Sequence, residues 1–349
     1  MHLAFPAWRR GFFKATGGPI TEAVRRGHQV SLLHGPAGKP GETVTTAELR
    51  ARWPQISLAV PPVVDAVLGP SLHAYAARLP RARQAYTLDL AWEGVSAPAG
   101  QRMHHCWASA HQRACWVLAH GGSPDVLPAI WADTVTGSPM MDVFDTAWGG
   151  RQWARPQIVL MALKFPRNAG LWRRLVYRTL GYRHLVRALR RLCDRLGADL
   201  LVKTRAKNND PWWLGGYAAQ VVTDTALWPY TAAEVIRRAV FVVHFQSGAA
   251  LEAAFAGVPQ LSIHLPQPHL AQYPGHREQY EASPGMQAWP GVVTGIGWET
   301  AVGYLDTLAA LPTVDRAARA AYVTRFLGFD DCRTSPRILD VVERQVVRR

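Results

Sequence analysis

Cysteine, lysine and acidic side chains are all scarce in this chain of 349 residues. The four cysteines (Cys106, Cys115, Cys193 and Cys332) are too few and too scattered for a disulfide scaffold. Cys106 and Cys115 fall among His104, His105 and His111, but no pair there has C-x-x-C or H-x-x-x-H spacing, so no metal site is expected. No apolar run approaches the roughly 18 residues that a membrane-spanning helix needs. The opening MHLAFPAWRRGFF has too short an apolar run for a signal peptide, and its arginines follow that run instead of preceding it. The expectation is a cytoplasmic protein. Lysine occurs only at positions 14, 39, 164, 203 and 207, and the rest of the 39 basic residues are arginine. Against 25 acidic residues they leave a net charge of +14. Such a surface favours anionic partners: nucleic acid, phosphorylated substrates or an acidic membrane face.

With 48% hydrophobic and 18% charged residues the chain is globular in composition, and its length accommodates two domains. A strand is expected to end near Phe5, followed by a glycine-rich loop to Gly18. A helix then starts at Pro19 and is closed by Gly27, and a second strand runs from His28 to Leu33. That order is how a doubly wound α/β domain begins. Residues 36 to 100 are broken into short elements by prolines at 36, 40, 54, 61, 62, 70 and 80 among others, and 102 to 120 read as one helix. The segment 148–156, with two glycines and a proline, reads as a linker. A new α/β pattern starts with the buried strand 158–162. A helix with apolar positions Leu185, Val186, Leu189, Leu192, Cys193 and Leu196 follows, then a strand over 199–203. Thr231 to Glu234 has the form of a capping box. Residues 315 to 346 read as helical with a break between Gly328 and Pro336.

The stretch 239–265, AVFVVHFQSGAALEAAFAGVPQLSIHL, carries the most chemistry. It reads as a buried strand, a small-residue turn at Gln246, Ser247, Gly248 and Ala249, a helix, and a second strand. Backbone N–H groups and the helix dipole at that turn suit a phosphate. Glu252, one turn inside, is placed to grip sugar hydroxyls. Lys203, Arg205 and Lys207 leave the end of the strand 199–203 at alternating positions, as charge-assisted partners of a diphosphate. His244 flanks the turn, either reaching the donor phosphate or the departing group or simply hydrogen-bonded at a strand end. Asp142, Asp89 and Glu93 are candidate bases near strand ends in the first half, since transfer to a hydroxyl with inversion needs one. Gly17 and Gly18, in the first loop, are expected to face the ligand.

The segments LLVKTRAKNNDP (200–211) and LWPYTAAEVIRRAVFVVHFQSGAALEAAFAGVPQLSI (227–263) resemble the nucleotide-binding half of GT-B glycosyltransferases. The likeness is to the branch with the CDP-glycerol glycerophosphotransferases and the UDP-N-acetylglucosamine 2-epimerases. TGSPMMD (136–142) is similar to the "TGnPxxD" segment that closes the first domain there. The resemblance implies two doubly wound Rossmann-like domains facing a cleft. Residues 1–150 would form the acceptor domain and 151–320 the donor domain, with a C-terminal helix in 321–349 packing back on the first. It also implies that Ser247, Gly248 and Ala249 hold a diphosphate and Glu252 a ribose. The epimerase GTRPE and DSGG signatures are replaced by KATGGP and FQSGA, and the acidic residue of the "TDYSS" turn is missing. Sugar transfer is therefore expected over epimerisation or glycerol phosphate transfer.

The expected activity is transfer of a sugar from a nucleotide-diphosphate donor, a UDP-sugar above others, with no permanently bound cofactor and no metal. The preferred acceptor is a surface glycan or lipid-linked sugar, worked on at the inner membrane face. There the arginines at 173, 174, 178, 183 and 187 would meet anionic lipid. A second reading is a DNA-modifying glycosyltransferase acting on hydroxymethylated bases, to which the charge and fourteen tryptophans also lend themselves. A third is a non-catalytic nucleic-acid-binding protein.

Overall fold

The computed structural model describes residues 1–7, 9–34, 43–70, 72, 80–88, 103–119, 130–145, 155–163, 181–205, 210–223, 230–265 and 285–347. Two parallel six-stranded sheets organise them. The chain divides into one unit made of Met1–Asp145 with Thr324–Arg349, and a second made of Thr146–Val323. The expected linker lies mostly outside the described residues.

In the first unit the strands β1 (His2–Pro6), β2 (Gln29–Leu33), β3 (Val63–Gly69), β4 (Arg81–Leu88), β5 (Met103–Trp107) and β6 (Ile130–Val135) lie in the order 2-1-3-4-5-6. The order reverses between β1 and β3, where Pro6 sits so close to Gly69 that a Cβ on the glycine would lie 2.5 Å from the proline ring. Helix α1 spans Phe13–Arg25 and ends beside Gly27, which takes the left-handed conformation at φ 76°. The expected loop through Gly18 is therefore corrected: Gly17 and Gly18 are buried inside α1, and Pro19 is internal to it. Gly18 is there for close packing, because a Cβ on it would meet the Ser335 hydroxyl at 2.4 Å. The short helix α2 (Thr46–Arg52) carries a complete capping box of Thr45 and Glu48. The stretch 102–120 is also corrected. It is strand β5 followed by α3 (Ala110–Ala119), and β5 is buried throughout.

The second unit contains β7 (Gln157–Met161), α4 (Tyr182–Leu196), β8 (Asp199–Lys203), β9 (Gln220–Val222), α5 (Thr231–Ile236), β10 (Ala239–His244), α6 (Ala249–Ala256), β11 (Gln260–His264), β12 (Val293–Gly297) and α7 (Ala301–Thr307). Its strand order is 12-11-10-7-8-9. Counted within the unit, that is the order of a classical dinucleotide-binding sheet. Alternate residues of its central strands feed two cores. Ile158, Leu160, Leu200, Val202, Phe241 and Val243 meet α4 on one face, and Val159, Met161, Leu201 and Val242 meet α5 and α6 on the other. Burial on both faces is why these strands read as unbroken apolar runs. Thr231 forms no capping box; Tyr230 precedes the helix without a side-chain cap and Thr231 is buried in it.

The last helices, α8 (Arg316–Leu327) and α9 (Thr334–Val347), follow, and α9 packs on α1, β3 and β4 of the first unit. Gln345 bonds to Tyr86 and His104 beneath it, and Arg26 holds Asp340 at 2.8 Å and Glu343 at 2.9 Å. Between α8 and α9 the chain turns at Gly328, whose φ is +81° and whose added Cβ would lie 2.4 Å from the Ala108 carbonyl. Gly328→Ala is expected to destabilise the first unit by at least about 2 kcal/mol, through left-handed strain and the backbone clash together. A urea titration of the variant against wild type reads this directly.

Candidate functional site

In an open α/β sheet a ligand binds outside the carboxyl ends of the strands, where strand order reverses. In the second unit that point lies between β7 and β10. The turn 245–248 leaves β10 there and opens α6. Gln246 has φ 43° and, with Cys332, is one of two non-glycine residues at positive φ among those described. Such strain persists only where surrounding structure fixes it, and it concentrates at functional turns.

The fixing comes from below. Gln246 Oε1 accepts from Leu265 N at 3.0 Å. His264 Nε2 lies 3.1 Å from the Gln287 carbonyl. Gln287 in turn donates from Nε2 to the Ser247 carbonyl at 3.1 Å and accepts from the Ser262 hydroxyl at 2.8 Å. Ser247 N donates to His244 Nδ1 at 3.4 Å, and His244 Nε2 is 2.9 Å from Gln260 Oε1. Since Nδ1 must accept, Nε2 carries the proton and donates to Gln260, whose amide nitrogen gives its own hydrogen bond to the Ala250 carbonyl at 3.0 Å. Gln260, Ser262 and Gln287 are the supporting residues that the sequence reading missed. Gln260 and Ser262 left a signal: two polar side chains on alternate positions of a buried strand, with Leu261 and Ile263 between and after them.

His244 is wholly buried and held on both ring nitrogens, so the idea that it reaches a departing group is corrected. Burial pushes its pKa down to about 4, opposed by the Gln260 bond and reinforced by the nearby His264. Burial likewise lowers His104 to about 4 and His105 to about 3 in the first unit. A folded-state pKa below the unfolded value near 6.5 means that the unfolded chain takes up protons first. These groups therefore stabilise the fold fully above pH 6.5, and that stability is lost as pH falls from 6.5 towards 4 for His104 and His244 and towards 3 for His105. The urea midpoint should drop steeply through that window, by several kcal/mol of unfolding free energy in total.

The turn presents fewer open amides than expected. Ala249 N bonds to Ser247 Oγ at 3.3 Å, Ala250 N to the Ser247 carbonyl at 3.1 Å, and Leu251 N to the Gly248 carbonyl at 3.0 Å. The Gly248 amide has no acceptor among the described residues, and the Ser247 hydroxyl keeps its proton to donate. Glu252 lies in the first turn of α6 and is 3% exposed. On the other side of β7, β8 ends at the buried Lys203, and the exposed Arg205 follows. Two strand spacings, about 10 Å, separate that end from the turn. Lys207, Asp89 and Glu93 lie outside the described residues.

Asp142 is buried in the first unit, and its two carboxylate oxygens accept from Thr334 N at 2.9 Å and Ser335 N at 2.6 Å. It caps the start of α9. Burial raises its pKa to about 6, against the lowering effect of those hydrogen bonds and of Arg337. Among the described residues no group of three or more His, Cys, Asp or Glu side chains is arranged to hold a metal.

No family model matches the chain, and no curated protein matches its sequence. Solved structures do match in fold, and the fold they share with it is GT-B. A putative UDP-N-acetylglucosamine 2-epimerase from Listeria monocytogenes superposes with a TM-score of 0.57 at 14% identity, covering 100% of this chain and 97% of that one. The wall teichoic acid polymerase TagF, as its H444N variant, gives 0.57 at 10% identity, covering 99% and 89%. MnaA from S. aureus, solved with UDP, gives 0.55 at 13% identity, covering 99% and 97%.

Proposed function

We propose that this protein transfers a sugar from a nucleotide-diphosphate donor to an acceptor hydroxyl. The carrying observation is the strained turn at Gln246, placed at the switch point of a dinucleotide-type sheet and braced from β11 and from Gln287. In this reading the Gly248 amide, the Ser247 hydroxyl and the dipole of α6 take one phosphate, and Lys203 and Arg205 neutralise the other. Lys207 belongs to the same basic run. Glu252 accepts from ribose hydroxyls. The nucleotide is expected to be uridine, as in the UDP-bound MnaA structure. The acceptor is a surface glycan or a lipid-linked sugar at an anionic membrane face. With Asp142 engaged by α9, the base falls to Asp89 or Glu93.

A thermal-shift panel of UDP-, GDP-, CDP- and dTDP-sugars tests the donor class. A ligand at one hundred times its dissociation constant stabilises the fold by about 2.7 kcal/mol, so the matching nucleotide should raise the melting temperature visibly. No shift with any of the four would reject the reading.

A further inference from the structure

We infer that Arg183, Arg187, Tyr217 and Trp212 form a docking surface for anionic phospholipid headgroups. The other three arginines on α4 each have a partner within the fold. Arg190 pairs with Asp194 at 2.9 Å, Arg191 with Asp306 at 2.7 Å, and Arg195 donates to the Leu305 carbonyl at 2.7 Å. Arg183 and Arg187 differ. Their Nε atoms both donate to one neutral oxygen, the Tyr217 hydroxyl, each at 3.0 Å. Both guanidinium carbons lie 5.9 Å from the centre of the same ring. Among the described residues neither side chain meets a carboxylate. Two like charges are thus gathered on one phenol with their terminal nitrogens left to bind, an arrangement that a phosphate oxygen pair satisfies.

The adjoining turn supplies the second half of the surface. Tyr217 closes the short 3-10 helix Trp212–Gly216. Trp213 of that turn is buried against Tyr182, with ring centres 5.6 Å apart, whereas its neighbour Trp212 is 91% exposed. Gly215 and Gly216 have nothing within 4 Å of where a Cβ would be, so this turn is open. Val221, on the edge strand β9, is 43% exposed. An almost fully hydrated tryptophan in the same turn as the tyrosine that gathers two arginines, which meet no carboxylate among the described residues, is the pairing found at membrane interfaces, where the ring sits at headgroup depth and the cations hold phosphates. Soluble phosphate would use the arginines and leave Trp212 without a role. The net charge of +14 gives the same sign of attraction over a longer range.

This surface rests on the proposed function only for the expectation that the acceptor lies at a membrane, and its test needs no sugar chemistry. The full chain is floated with phosphatidylcholine vesicles, with and without phosphatidylglycerol, and its donor-induced thermal shift is measured separately. Wild type should float only with the anionic vesicles. Arg183→Gln with Arg187→Gln should bind about thirty-fold more weakly, and Trp212→Ser should also lose binding. Arg190→Gln with Arg191→Gln removes the same charge from the same helix and should float like wild type. Melting temperatures of all variants, measured alongside, identify any that fail to fold. Phosphatidylcholine vesicles carrying a nickel-chelating lipid would return a variant with an N-terminal histidine tag to the membrane and check that it is still folded there. Equal flotation of wild type and both surface variants, or equal loss in the charge-matched control, overturns the proposal. So does binding of duplex DNA through these residues with no vesicle binding. A donor shift without flotation sinks the membrane surface alone; flotation without a donor shift sinks the donor reading alone.

Discussion

Asp142→Ala should lower the stability of the first unit by about 3 kcal/mol. Both carboxylate oxygens accept backbone N–H groups at the start of α9, and alanine leaves those two buried donors without acceptors. An unsatisfied buried polar group costs about 1–3 kcal/mol, and loss of a helix cap about 0.5–2 kcal/mol. The small residues around the cap leave no room for a replacement: Gly18 and Gly137 pack so closely that a Cβ on either would lie within 2.5 Å of Ser335 or Thr334. The pH dependence gives an independent check. The folded pKa, about 6, lies above the ordinary value of 3.8 because burial penalises the charged form. The wild-type fold therefore holds this proton more tightly than the unfolded chain does. The contribution is fully present below pH 3.8 and is lost as pH rises through about 6. The stability gap between wild type and variant should thus widen on acidification from pH 7 to pH 4. The histidines titrate alike in both proteins and cancel in the difference. Urea titrations of the pair at several pH values read both the size and the sign; a gap that narrows would mean that the carboxylate is stabilised as the anion.

Lys203→Ala with Arg205→Ala should weaken nucleotide-sugar binding by at least a hundred-fold. Hydrogen bonds to charged groups are worth about 1.5–3 kcal/mol each, and two are removed. Glu252→Ala should weaken it by about ten-fold, in keeping with one lost hydrogen-bonding carboxylate. Calorimetric titration at a temperature where every variant is folded separates this from stability, which matters because Lys203 and Glu252 are both buried. Unchanged affinity in both variants would reject the site.

The elements that the sequence made legible are those whose pattern is local. Strands β7, β8, β10 and β11 are buried on both sides and read as apolar runs between glycines, prolines and charges. Helix α4 keeps its apolar residues to one side. The misread parts depend on partners remote in sequence. Helix α1 runs through Gly17 and Gly18, which looked like a loop, and α9 packs on it with Ser335 against Gly18. The run MHHCW looked helical but is a buried strand, with Thr134 and Gln345 satisfying His104. Asp142 looked like a base at a strand end, yet its backbone partners lie 192 and 193 residues away. At the candidate site the turn itself was visible as small residues between a strand and a helix. The inward hydrogen bonding of His244 was not, because Gln260 reaches it only once β11 pairs with β10.

Hydrogen exchange of the backbone amides, measured with and without saturating UDP, tests the central claim most directly. Binding at the switch point predicts slowed exchange in the peptide spanning 245–252, with a further effect at 203–205. Tight binding with protection confined to other segments would contradict the account, as would the absence of binding by any of the four nucleoside diphosphates.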